Sequence, residues 1–223
     1  MARAGDGRTR VDLSHAVRDG MITYKGLPAP VICDFLSRGE SESHYAEGTT
    51  FQIGQITMCA NTGTYVDSPF HRYEDGADLA ALPLEHLAEL DGVVVDATGD
   101  GRAVEPDRLR NYQLHRKAVL IRTDWDRNWG SESYFEGHPF LTRKAASYLV
   151  EQEALLVGID SLNIDDTGDG TRPAHTLLLG SDIPICEHMT GLRNLPPDGF
   201  RFSAVPVKVE GMGTFPVRAF ATF

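Results

Sequence analysis

Apolar residues along this chain fall into short runs that turn and loop residues separate. Val93-Val94-Val95 leads to Asp96 and Ala97, and Ala118-Val119-Leu120-Ile121 ends on Arg122. Leu155-Leu156-Val157-Gly158-Ile159 ends on Asp160, and Ile183-Pro184-Ile185-Cys186 ends on Glu187. Such runs are too short for helices and rich in β-branched residues, so they predict core strands. Phe51 to Cys59 alternates and predicts a strand leading into the stretch that follows it. Val11 to His15 reads as a strand end, and Phe202 to Glu210 as the strand that closes the core. Helical periodicity is clearest after Thr142, a predicted N-cap for a helix through Gln152, with Ala145, Ala146, Leu149 and Val150 on its apolar face. Pro173-Ala174-His175 opens a short helix at Thr176 to Gly180. Single turns are expected at Leu82 to Leu87, Pro106 to Tyr112 and Thr190 to Leu195. Gly39 to Gly48, which carries His44, reads as a loop able to cover a pocket.

Residues 1–9 read as a flexible N-terminal tail and residues 10–223 as one domain, with no internal repeat and no linker. The chain's 223 residues can bury a substantial core. Charged residues make up 24% and hydrophobic ones 41%, the balance of a globular protein. A formal charge of −11 argues against nucleic-acid binding, which wants clustered Lys and Arg. No apolar run approaches the roughly 18 residues of a membrane helix, and Met1 to Arg10 holds no apolar leader. The three cysteines, Cys33, Cys59 and Cys186, have no pattern and read as buried small hydrophobes in a reducing cytoplasm.

Candidate chemistry concentrates in Asn61-Thr62-Gly63-Thr64-Tyr65-Val66-Asp67-Ser68-Pro69-Phe70-His71. Pro69 fixes its own backbone and biases Ser68 toward an extended conformation. Asp67 and His71, four positions apart, thus sit on a stiff loop, and both residue types are common donors to divalent cations. Asp160 and Glu187 end core strands, where ligand chemistry gathers in α/β sheets. Asp165 to Gly170 has acidic spacing but lacks the downstream Glu of a calcium loop. The aromatic segment of Trp125, Trp129, Tyr134, Phe135 and His138 offers pocket walls. His15 and His86 read as structural or surface histidines.

The stretch resembles the signature of the cyclase/kynurenine formamidase family of metal-dependent amidohydrolases, H-x-G-T-H-x-D-x-P-x-H. Gly63, Thr64, Asp67, Pro69 and His71 match it, while Asn61 and Tyr65 replace its first two histidines. Asp12-Leu13-Ser14-His15, Val157 to Asp160, Ala174-His175 and Ile183 to Glu187 resemble the family's other blocks, in order along most of the chain. The resemblance implies a single compact α/β domain with a β-barrel-like mixed-sheet core flanked by helices, assembled into homodimers or homotetramers. It also implies one complete metal site, Asp67, His71, His175 and Glu187. The other site keeps only Asp67, because an amide and a neutral phenol are poor substitutes for imidazole.

Three functions follow. The first is hydrolysis of a small amide or lactone with one zinc or manganese ion. The second is metal-free cyclisation, elimination or isomerisation. The third is ligand binding without turnover. The expected catalytic groups are His71, Glu187, Asp67 and Tyr65, the phenol serving as an oxyanion donor in the metal-free case. Asn61, Thr64, Phe70, Trp125 and Trp129 are the expected contacts to a partly apolar small-molecule substrate.

Overall fold

The predicted apolar runs form the middle of one large sheet. The computed structural model of this chain describes residues 7–99 and 101–223. Its strands are β1 (Arg10–Asp12), β2 (Val31–Leu36), β3 (Ile53–Thr57), β4 (Tyr65–Asp67), β5 (Leu90–Asp96), β6 (Ala103–Val104) and β7 (Ala118–Arg122). They continue with β8 (Phe140–Leu141), β9 (Leu156–Ile159), β10 (Ile185–Glu187), β11 (Asp198–Ser203), β12 (Thr214–Pro216) and β13 (Phe220–Thr222). The α-helices are α1 (Arg38–Ser41), α2 (Arg143–Glu151) and α3 (Pro173–Leu179). Nine strands make a curled mixed sheet in the order β1-β13-β11-β5-β7-β9-β10-β4-β12.

β5, β7, β9 and β10 are parallel neighbours, so both of their faces must be covered. Alternation along each strand does this. Val93, Val95, Val119, Ile121, Val157 and Ile159 face a core completed by Ala145, Ala146 and Leu149 of α2 and by Ala174 and Leu178 of α3. Val94, Leu120 and Leu156 face the second core, with Leu13, Val66, Phe200 and Phe202. Burying each such side chain contributes roughly 1.5–3 kcal/mol. A Cβ at Gly158 would overlap the Met189 sulfur and the Leu120 side chain, so a glycine is required between these layers. α2 starts where expected: Thr142 Oγ1 accepts from the Ala145 amide at 3.2 Å.

Antiparallel strands extend both sides of this parallel block, β11, β13 and β1 on one and β4 and β12 on the other. Residues 1–6 of the expected tail lie outside the described residues. Thr9 exchanges backbone hydrogen bonds with Phe223 at 2.7 and 3.1 Å.

Several elements depart from the sequence reading. The Phe51 to Cys59 pattern forms β3, but β3 pairs with β2 in a two-stranded arm outside the main sheet. Its apolar residues are exposed, with Phe35 of β2 72% accessible. Cys33 lies on this arm and is exposed, Cys59 is half-buried, and only Cys186 is the buried hydrophobe expected of all three. The closing strand begins earlier and stops at Ser203. There the Ala204 amide turns to the Leu87 carbonyl, and Pro206 has no ladder donor to offer. Gly39 to Gly48 holds most of α1 and a 3₁₀ turn, Glu42–His44, and does not line the cavity that holds His71, His175 and Glu187. Of the flanking helices, only α2 and α3 exceed four residues among the described residues. Among the described residues, no helix is long and apolar enough to cross a membrane.

Candidate active site

Strand register assembles the site. β4 pairs antiparallel with β10, which sets Tyr65 opposite Glu187. On its other edge β4 pairs with β12, which sets Thr214 opposite Asp67. Directly opposed side chains on one sheet face lie within contact range, and both pairs bond. Tyr65 donates its phenolic hydrogen to Glu187 Oε2 at 2.6 Å, and the Thr214 hydroxyl is bonded to Asp67 Oδ1. Asn61 lines the same cavity as Tyr65.

The 3₁₀ turn Pro69–His71 follows β4 at once. Ser68 donates its amide to the Gly213 carbonyl at 2.7 Å. A Cβ at Gly213 would overlap the His71 backbone, so this glycine lets β12 approach close enough for Thr214 to reach His71. Thr214 Oγ1 lies 2.9 Å from His71 Nδ1. An ionised Asp67 can only accept, so the single Thr214 proton points to it, and the hydroxyl oxygen accepts from Nδ1–H of His71. This leaves Nε2 of a neutral His71 as the ring's free acceptor. The His71 side chain is 36% accessible, against 0% for Asp67.

His175 arrives on α3. Asp165 accepts from the amides of Ala174 at 2.7 Å and His175 at 3.1 Å, which satisfies free donors at the start of the helix. Its Oδ2 also lies 2.7 Å from His175 Nδ1 and so directs Nε2 toward the cavity. His175 Nε2 stands 3.8 Å from Asp67 Oδ2 and 3.7 Å from Glu187 Oε1. Glu187 is further held by the Ile164 amide at 2.6 Å and the Asn163 amide group at 3.3 Å. Asp67 Oδ2 is buried and has no hydrogen-bond partner.

The electrostatics match this crowding. Burial works against an imidazolium at His175, but the hydrogen bond to Asp165 and the nearby Asp67 and Glu187 carboxylates outweigh it and push its pKa up to about 10. Burial, reinforced by Asp67, pushes Glu187 up to about 7 despite His175. Burial holds the Tyr65 phenol well above its usual range, as do the neighbouring Glu187 and Asp67 charges. Three carboxylates around one imidazole therefore favour a positive charge at their centre.

Of the expected site residues, the structure brings together Asn61, Tyr65, Asp67, His71, His175 and Glu187. The cavity is lined by Tyr24, Leu27, Asn61, Tyr65, His71, Arg72, Asn163, Arg172, His175 and Glu187. Four expected substrate contacts lie elsewhere. Thr64 is buried beneath the site, where its hydroxyl donates to the His188 carbonyl at 2.6 Å and accepts from the His15 amide at 3.0 Å. Phe70 is half-buried outside the cavity lining. Trp125 donates its indole N–H to the Tyr134 carbonyl at 3.0 Å, and Trp129 stacks on His15 at 3.8 Å.

Asp165, Thr214 and Asn163 were not anticipated. Pro173 at the first helical position does mark a helix start that needs an upstream acceptor, which is the signal for Asp165. A second acidic group, Asp124, Asp126 and Asp160, is met by protein donors. Arg193 bonds Asp126, Arg122 bonds Asp124 at 2.9 Å, and Thr123 bonds Asp160 at 2.6 and 2.7 Å.

Comparison with known proteins defines the class. A kynurenine formamidase from Geobacillus thermodenitrificans is 30% identical over 176 residues, covering 78% of this chain and 81% of that protein. Isatin hydrolase A from Labrenzia aggregata, solved bound to benzyl benzoate, superposes with a TM-score of 0.82 at 22% identity, over 96% of this chain and 93% of that one. A potential metal-dependent hydrolase with cyclase activity superposes with a TM-score of 0.79 at 24% identity, over 96% and 98%. Residues 11–166 match the family model of the cyclases. The chain belongs to the cyclase family and is a hydrolytic enzyme.

Proposed function

We propose that this enzyme hydrolyses the C–N bond of a small, partly apolar amide, using one divalent cation held by Asp67, His175 and Glu187. The carrying observation is the orphaned, buried Asp67 Oδ2 beside His175 Nε2 and Glu187 Oε1, at 3.8 and 3.7 Å from that nitrogen. Donor atoms bound to one tetrahedral zinc stand about 3.4 Å apart, given bonds of about 2.0–2.2 Å, so each carboxylate oxygen stands near that separation from His175 Nε2. Two carboxylates and one imidazole suit zinc or manganese. The 2.7 Å bond from Asp165 to His175 Nδ1 is the outer support that a ligating histidine usually has.

A cation bound there would polarise the substrate carbonyl and acidify water. The chain's own residues divide the remaining work. His71 presents Nε2 to the cavity, takes a proton from the attacking water and returns it to the departing nitrogen. Thr214 keeps that nitrogen free by accepting from Nδ1. Tyr65 gives its only hydrogen to Glu187 and so positions the carboxylate; no hydrogen is left for an oxyanion. Tyr24, Leu27 and Tyr65 give the cavity its apolar wall. The exposed apolar arm of β2 and β3 supports assembly into homodimers or homotetramers, which light scattering reads directly.

The test is hydrolysis of formanilide, an aryl formamide, before and after chelation. Turnover that a chelator abolishes and zinc or manganese restores supports the reading, and chelator-insensitive turnover overturns it.

A further inference from the structure

We infer that Arg72 and Arg172 form an anion subsite at the active-site cavity, and that the amide substrate carries a carboxylate on its apolar body. This rests on the amide-hydrolase reading for the reaction, but not for the binding. Both guanidinium residues line the cavity that holds His71, His175 and Glu187. Most arginines with described contacts face an acid: Arg102 meets Asp166, Arg122 meets Asp124, Arg201 meets Asp91 and Arg218 meets Asp12. Among the described residues, neither Arg72 nor Arg172 has a carboxylate within ion-pair distance, although the chain carries 32 acids against 21 Lys and Arg.

Both side chains are nonetheless held. Arg72 lies over the Tyr73 ring, 5.3 Å from its centroid, and its Nε donates to Thr176 Oγ1 at 3.4 Å. Arg172 Nη1 reaches Asn163 Oδ1 at 3.4 Å and the Asp166 carbonyl at 3.5 Å. A guanidinium has five N–H donors, so each keeps several for a ligand. Their planar fork suits a carboxylate, and holding it in place lowers the entropy lost on binding. Repulsion from the wall is small. Glu187 is the one acid in the cavity lining, and Tyr65, Asn163 and the Ile164 amide already engage its oxygens. Tyr24 and Leu27 line the same cavity and offer apolar surface to the rest of the ligand.

The experiment is titration calorimetry of the zinc-loaded protein with benzoate and with benzamide, for wild type, Arg72→Met/Arg172→Met and Arg72→Lys/Arg172→Lys. Wild type should bind benzoate at least tenfold more tightly than benzamide. The Met pair should lose that preference, and the Lys pair should keep part of it. Equal affinities in wild type, or an undiminished preference in a folded Met pair, would show that the arginines recognise no carboxylate and would overturn the inference. If the Met pair does not fold, the Lys pair decides: benzoate binding as tight as wild type overturns the inference, and a weaker preference supports it. The same proteins are assayed with 3-formamidobenzoate and formanilide. A fall in kcat/KM at least tenfold greater for the anionic amide supports the subsite, and equal falls overturn it. Failure to hydrolyse either amide would defeat the reaction reading alone, since the benzoate comparison needs no turnover.

Discussion

Tyr65 stands opposite Glu187 in the β4–β10 ladder and donates its phenolic hydrogen to that carboxylate at 2.6 Å. Asn61 and Tyr65 stand where the family signature has two histidines, and the phenol is tied to the Glu187 carboxylate. A phenol held this far from ionisation is a poor metal donor, so the two substitutions remove one cation site while bracing a ligand of the other. Restoring both imidazoles, Asn61→His with Tyr65→His, should raise bound metal from one ion per chain to two, measured by elemental mass spectrometry. An unchanged value in a folded double variant would contradict this role for the pair.

Asp165 supports the site through both backbone and side chain, since it accepts from the Ala174 and His175 amides and fixes the His175 ring. Asp165→Asn should weaken zinc affinity about 10–100-fold, the usual effect of losing an outer-sphere partner. It should also cost about 1 kcal/mol of stability through the weakened helix start. Competition with a chromogenic chelator measures the first and urea unfolding the second.

Thr214 couples Asp67 to His71. Thr214→Val keeps the shape but removes the acceptor for Nδ1–H, so the ring loses its fixed tautomer and orientation. Expected are a kcat about tenfold lower, less than the roughly 10²–10⁴-fold that general acid–base catalysis contributes in full because His71 itself is retained, and a nearly unchanged KM. Thr214→Ser should recover most of the rate. Steady-state kinetics on formanilide decides, and the ¹⁵N shifts of the His71 ring report the tautomer independently.

Asp160 gives a pH signature away from the catalytic groups. Burial pushes its pKa from the ordinary 3.8 up to about 7, against three hydrogen bonds from Thr123 and Asp124. Between those values the folded protein binds the proton that the unfolded chain has released. The contribution of this group is therefore fully present below pH 3.8 and lost as pH rises through 7, by ~4 kcal/mol at most. Melting temperatures from pH 4 to 7 should show this falling component in wild type, and Asp160→Asn should remove it from the slope.

Legibility in the sequence followed range. The parallel strands were visible because each is a local apolar run, and α2 because Thr142 announces it. Tyr65, Asp67, His71, His175 and Glu187 were found because a family pattern marks their positions. Thr214 was hidden because its partner Asp67 is 147 positions away and β12 is three residues without a period. Asp165 was read only as the start of an acidic stretch lacking the Glu of a calcium loop, since nothing local shows that α3 begins on its carboxylate. Trp125 and Trp129 have the aromatic character of pocket walls, but that character serves equally to pack His15 and Tyr134. The Phe51 to Cys59 stretch was legible as a strand, but its β3 leaves the main sheet to pair with β2, because pattern fixes conformation and not the surface a strand meets.

The most direct test of the one-cation site is the metal content of the untagged protein by elemental mass spectrometry, with wild type beside Asp67→Ala. One zinc or manganese ion per wild-type chain, lost in the variant, is the expected result. Two ions would mean that Asn61 and Tyr65 do serve a second site. None, with none taken up from excess zinc, would contradict the metal site and leave His71, His175 and Glu187 as a metal-free acid–base cluster.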